Sequence, residues 1–91
     1  MGAVTETIRA KLSAAFSPQR LEVEDDSARH HGHAGASPGG ESHFNVVIEA
    51  QLFEGLGRVQ RQRAVYAALA EELAGPVHAL SLKALAPGEA D

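Results

Sequence analysis

Apolar residues recur at Val4, Ile8, Leu12, Ala15 and Phe16, a spacing that puts them along one side of a helix. Thr5 can cap that helix through its hydroxyl. Ser17-Pro18 ends it, because the residue before a proline is driven out of the right-handed helical region. Leu21-Glu22-Val23-Glu24 then alternates apolar and polar and predicts a strand with one exposed face. Phe44-Asn45-Val46-Val47-Ile48 repeats that alternation, with Phe44, Val46 and Ile48 on one face. Phe53-Glu54-Gly55-Leu56-Gly57 reads as a turn into a longer helix from about Arg58 to Ala74. Val59, Tyr66, Leu69 and Leu73 make its expected inner stripe, on which Gln62 also falls, and Gly75-Pro76 stops it. A last strand, His78 to Leu85, places His78 on the parity of Leu80 and Leu82.

Between the first two strands the pattern fails. The stretch from Asp25 to Ser42 has no hydrophobic period and contains Gly32, Gly35, Gly39, Gly40 and Pro38. A flexible loop over residues 27–42 is expected, and connections of this length inside a small domain are usually functional or disordered. The predicted order is α-β-β-α-β: a three-stranded mixed sheet with helices on one face, an α+β sandwich. One domain spans residues 1–91, with its ordered core at about 4–86 and a frayed tail at 87–91.

Charge and composition narrow the function. The formal net charge of −4 opposes general affinity for nucleic acid, which depends on Lys and Arg displacing phosphate counterions. No apolar run approaches the roughly 20 residues that span a bilayer, and the start Met1-Gly2-Ala3-Val4-Thr5-Glu6 lacks a secretory pattern. The cytoplasm is the expected location. With no cysteine, the chain can form neither a disulfide nor a thiolate metal site by itself.

The chemistry on offer is imidazole. Five histidines stand at 30, 31, 33, 43 and 78. His30, His31 and His33 sit among glycines that let the backbone bend around an ion, and neutral imidazole suits borderline metals. The same triplet also fits a solvated loop. His78 reads from position as a core-edge residue bonded to a carbonyl. His43, opposite in parity to Phe44, lines the open face of the sheet or faces water. Catalysis finds little support: no constellation of nucleophile, base and orienter can be assembled, and Glu71-Glu72 and Asp25-Asp26 read as solvated or strand-end pairs. The chain is not expected to be an enzyme. Arg58, Arg61 and Arg63 crowd the first turns of the second helix, where cations oppose the helix dipole. Pairing with Glu54 or Glu71 would compensate them, as would an anionic partner.

Several stretches taken in order resemble the BolA family from Ile8 to about Leu85. They are Leu21-Glu22-Val23 with Asp26-Ser27, Gly32-His33-Ala34-Gly35, Gly39-Gly40-Glu41-Ser42-His43-Phe44, Phe53-Glu54-Gly55, Arg61-Gln62-Arg63 with Val65-Tyr66, Leu69-Ala70-Glu71-Glu72-Leu73, and His78-Ala79-Leu80-Ser81-Leu82. The resemblance implies a class II KH-like fold and partnership with a monothiol glutaredoxin. It implies a bridging [2Fe–2S] cluster held by the glutaredoxin cysteine, a glutathione thiol and two ligands from this chain, and not held stably by this chain alone. The histidine opening the last strand corresponds to His78. The loop ligand, His or Cys in the family, corresponds to His33, with His30 and His31 as neighbouring substitutes. Imidazole in place of thiolate raises a cluster's potential and makes its binding sensitive to protonation. A monomer or weak homodimer is expected without the cluster. Gln62 departs from the family's usual Arg-His-Arg at Arg61-Gln62-Arg63 and can neither ligate nor carry charge. Two other functions fit the residues: a DNA-binding regulator using Arg58, Arg61 and Arg63, and a mononuclear zinc or copper carrier using the loop histidines. A KH-type clamp on RNA does not fit, because Gly55-Leu56-Gly57 is not GXXG.

Overall fold

A computed structural model of the chain describes residues 2–26 and 42–89. Helix α1 runs Ala3–Phe16 and buries Thr5, Ile8 and Leu12. Gly2, not Thr5, is its N-cap, and its carbonyl accepts the Glu6 N–H at 3.1 Å. Helix formation therefore begins three residues earlier than the cap rule suggests, and Thr5 turns into the core. Ala15, expected on the inner stripe, is exposed. Ser17 closes the helix in the left-handed region, at φ 45° and ψ 56°.

Strand β1 (Arg20–Asp25) pairs antiparallel with β2 (His43–Glu49), placing Leu21 opposite Ile48 and Val23 opposite Val46. Strand β2 is central and alternates as its sequence dictates, with Phe44, Val46 and Ile48 buried. A 3₁₀ turn at Gln51–Phe53 follows, then Gly55 at φ 80°, a conformation that glycine alone adopts without strain. Helices α2 (Arg58–Ala68) and α3 (Ala70–Ala74) return the chain to β3 (Ala79–Leu85), which lies parallel to β2 at the sheet edge. A parallel pair needs such a crossover, and its helices cover the core face of the sheet. Ile8, Leu12, Val65, Leu69 and Phe53 pack there against Phe44, Val46 and Ile48. The Phe16 and Phe53 rings meet at 5.1 Å between centroids.

The α+β order and the mixed sheet are as expected, with three differences of detail. The single helix from Arg58 to Ala74 is broken at Leu69 (φ −108°, ψ 21°), whose N–H is shared between the Val65 and Tyr66 carbonyls at 3.1 and 3.2 Å. The inner stripe is also phased differently. Val65, Leu69 and Glu72 are buried, whereas Val59 is 57% exposed and Gln62 lies on the surface. Val59 and Val65 are six residues, about 240°, apart on a helix, so one packed face cannot hold both. Finally, Glu71 is exposed but Glu72 is buried, and Lys11 from α1 reaches both at 2.8 and 2.9 Å.

The tail is held further than expected. Ala86 is buried, the Glu89 N–H donates to the Ala86 carbonyl at 3.1 Å, and the Ala86 N–H donates to Glu89 Oε1 at 2.9 Å. The flexible loop expected at 27–42 lies outside the described residues except for Ser42, which is buried. Among the described residues, no helix is long and apolar enough to cross a membrane.

Candidate functional site

Because β2 and β3 run parallel, both begin at one end of the sheet, and His43 and His78 meet there. The Asp26 N–H donates to the His43 carbonyl at 2.7 Å, so the chain departs for the loop and returns from it at the same place. The Ser42 carbonyl then accepts from the N–H groups of His78 and Ala79, at 2.7 and 3.2 Å. The last loop-side residue is thus bonded directly to the backbone of His78. The imidazoles of His43 and His78 lie nearly parallel, with centroids 6.5 Å apart and planes inclined at 27°. Ser42 Oγ stands 2.9 Å from His43 Nδ1 and helps fix that ring.

His78 is exposed, not tucked at the core edge. The strand begins one residue later, at Ala79, so its alternation does not reach His78, and Val77 takes the buried position instead. His43 faces away from Phe44 as its parity predicts, and the structure adds a second imidazole beside it. Parity alone could not show this, since it depends on which strands are neighbours. His30, His31 and His33 lie outside the described residues. Among the described residues, no group of three or more His, Cys, Asp or Glu could hold a metal ion. Two exposed or half-exposed imidazoles with no thiol form a partial donor set, suited to a metal centre completed by another molecule.

The arginines do not converge at that end. Arg58 and Arg61 line an open groove of about 460 Å³ between α2 and β3, together with Tyr66, Leu80, Leu82 and Lys83. Arg63 is exposed elsewhere on α2. The Arg61 side chain is 13% exposed and fully engaged: Nε donates to the Leu56 carbonyl at 3.0 Å and Nη1 to the Ala84 carbonyl at 3.2 Å. Both Nη atoms also grip the Glu89 carboxylate, Nη2 at 2.9 Å. The fork from Arg61, aided by the Ala86 N–H, holds the Glu89 carboxyl down at about 2. Among the described residues the intrachain partner of Arg61 is therefore Glu89, and neither Glu54 nor Glu71. Gln62 Nε2 donates to the Tyr66 hydroxyl at 3.1 Å on the surface, outside the core stripe expected for it.

The family model described as "BolA-like protein" matches residues 12–89. BolA-like protein 1 of Pongo abelii is 49% identical over 89 residues, covering 98% of this chain and 62% of that protein, so this chain spans less than two thirds of that relative's length. A protein of Escherichia coli strain K12 named DNA-binding transcriptional regulator BolA is 48% identical over 79 residues, covering 87% of this chain and 71% of its own. Among solved structures, the BolA domain of SufE1 from Arabidopsis thaliana is similar with a TM-score of 0.87 and 41% identity, covering 99% of each chain.

Proposed function

The chain belongs to the BolA-like protein family, and from that premise we propose that it is an adaptor, not an enzyme, which binds a monothiol glutaredoxin in the cytoplasm and co-ligates a bridging [2Fe–2S] cluster through histidines. The observation that carries the reading is the placement of His78. It is exposed, it stacks beside His43, and its N–H is bonded to Ser42 at the end of the histidine-bearing loop. His78 and His33 are the proposed ligands, with His30 or His31 in place of His33 if the loop closes differently, and His43 lining the site. The donor set fits the group, because imidazoles can take one part of a cluster while thiolates of the partner and glutathione take the rest. When bound, the cluster is the cargo or signal of the complex, in iron–sulfur assembly, trafficking or iron regulation. This chain's own contribution is to hold the His78 imidazole at the rim of the sheet, where its orientation requires no rearrangement of the core.

The test is to mix the protein with a cluster-loaded monothiol glutaredoxin and glutathione, following visible absorption and circular dichroism. A changed cluster spectrum with a one-to-one complex, lost in His78→Ala and His33→Ala, is the expected result. An unchanged spectrum in the presence of either variant and of the parent chain alike overturns the reading.

A second reading is a DNA-binding regulator, supported by the printed name of the E. coli relative and by the exposed Arg58 and Arg63. It predicts binding that falls steeply with salt and disappears when Arg58, Arg61 and Arg63 are neutralised. Salt-independent or undetectable binding to duplex DNA removes it.

A further inference from the structure

Among the described residues, strand β3 has a neighbour on one side only. Its odd-numbered residues face β2: the Ala79 N–H donates to the Ser42 carbonyl, and the Leu85 carbonyl accepts from Ala50 at 3.0 Å. Successive peptide groups of a strand alternate, so the N–H and C=O groups of Leu80, Leu82 and Ala84 point outward from the open edge. Arg61 Nη1 confirms the direction by reaching the Ala84 carbonyl from that side. Natural sheets blunt such edges, because unpaired backbone groups recruit another strand. Here Arg61 occupies one end, and the Leu80–Leu82 stretch forms the floor of the groove beneath α2.

The groove has two unlike halves. Tyr66, Leu80 and Leu82 make an apolar half, all three only partly buried. Arg58 and Arg61 make a cationic half that Lys83 borders from the other face of β3, with Glu89 the single acid lining it among the described residues, on a chain whose net charge is −4. Among the described residues neither Arg58 nor Lys83 has an ion pair. Glu89 also shows what chemistry the cationic half accepts, since the protein's own carboxylate is seated there in the fork of Arg61.

We propose that the open edge of β3 and the adjoining groove form a docking site for an extended segment of a partner protein, which pairs as a fourth strand. Its apolar side chains cover Leu80, Leu82 and Tyr66, and its carboxylates meet Arg58 and Lys83. Main-chain hydrogen bonds to Leu80 and Leu82 supply general affinity, and the two unlike halves select an acidic–apolar sequence. An acidic polypeptide is favoured over nucleic acid because the waiting backbone groups match a peptide strand and the floor is aliphatic. This site lies along β3, away from the His43–His78 end, and does not rest on the cluster reading.

The experiment selects peptides for the full chain from a phage-displayed library of random dodecapeptides. The selected peptide is then titrated into the ¹⁵N-labelled protein. Enriched sequences should place Asp or Glu in one half and β-branched or aromatic residues in the other. They should shift the Leu80 and Leu82 amides and slow their hydrogen exchange. Affinity should fall at least tenfold in the Arg58→Glu, Lys83→Glu double variant, which alters two exposed side chains, and remain unchanged in His78→Ala. Failure of any sequence to enrich overturns the proposal, as do equal binding to the double variant, shifts that bypass Leu80 and Leu82, or salt-sensitive capture of single-stranded DNA at those amides in place of peptide. Self-association of the parent chain that protects the same amides also overturns it, because the edge would then belong to a second copy.

Discussion

Replacing an exposed imidazole removes few packing contacts, so His78→Ala is expected to leave the unfolding free energy within about 0.5 kcal/mol in urea titration while abolishing cluster uptake. Glu89 behaves in the opposite way, since its carboxyl is held at about 2 by Arg61 and the Ala86 N–H. A depressed acid is protonated more readily in the unfolded chain, so its stabilisation is complete above the unfolded value near 4.5 and is lost as pH falls from there towards 2. The melting temperature should therefore drop more between pH 5 and pH 3 in the parent chain than in Glu89→Gln, measured by circular dichroism. Of these two residues, His78 was legible as a candidate because its neighbours in sequence resemble a family motif. Its exposure was not, because the alternation of β3 starts at Ala79, one residue after it. Glu89 was hidden for a different reason. Its partner Arg61 is 28 residues away, and nothing local in Pro87-Gly88-Glu89 announces an ion pair.

At the scale of elements, α1 ends on a strained residue. Ser17 sits at φ 45° because Pro18 denies it the right-handed region while its N–H still bonds Ser13 at 3.0 Å. Ser17→Gly should stabilise the protein by roughly 0.5–1 kcal/mol, glycine meeting no Cβ penalty there, as read by a higher urea midpoint. The phase of α2 can be tested by contrast. Leu69→Ala, at a residue 1% exposed, should cost about 2–5 kcal/mol, and Val59→Ala less than about 0.5 kcal/mol. The strands were legible to within a residue or two, since an alternating pattern with Phe44, Val46 and Ile48 leaves one choice of face. The phase of α2 was not legible, because Arg58–Ala68 contains only Val59, Val65 and Tyr66 as large apolar residues. With so few, the packing of α2 against β3 and α1, not the sequence, decides which side turns inward. The break at Leu69 was invisible for the same reason, since Ala68-Leu69-Ala70 is a good helical sequence on its own.

Across the whole molecule, one observation separates the fold from its chemistry. The ladder between β1 and β2 runs through Asp25 and Phe44 and is closed by the Asp26 N–H on the His43 carbonyl at 2.7 Å. Everything between Asp26 and Ser42 is therefore an insertion tied off at its base. The entropy of closing such a loop changes by only about 0.6 kcal/mol for each doubling of its length. Exchanging residues 27–41 for a short turn should leave the melting temperature nearly unchanged, or raise it slightly, while cluster uptake with glutaredoxin is lost. The consequence reaches beyond this chain: a segment tied off at its base by neighbouring strands can change its length at small entropic cost, so its letters can be rewritten one at a time without disturbing the ladder that frames it.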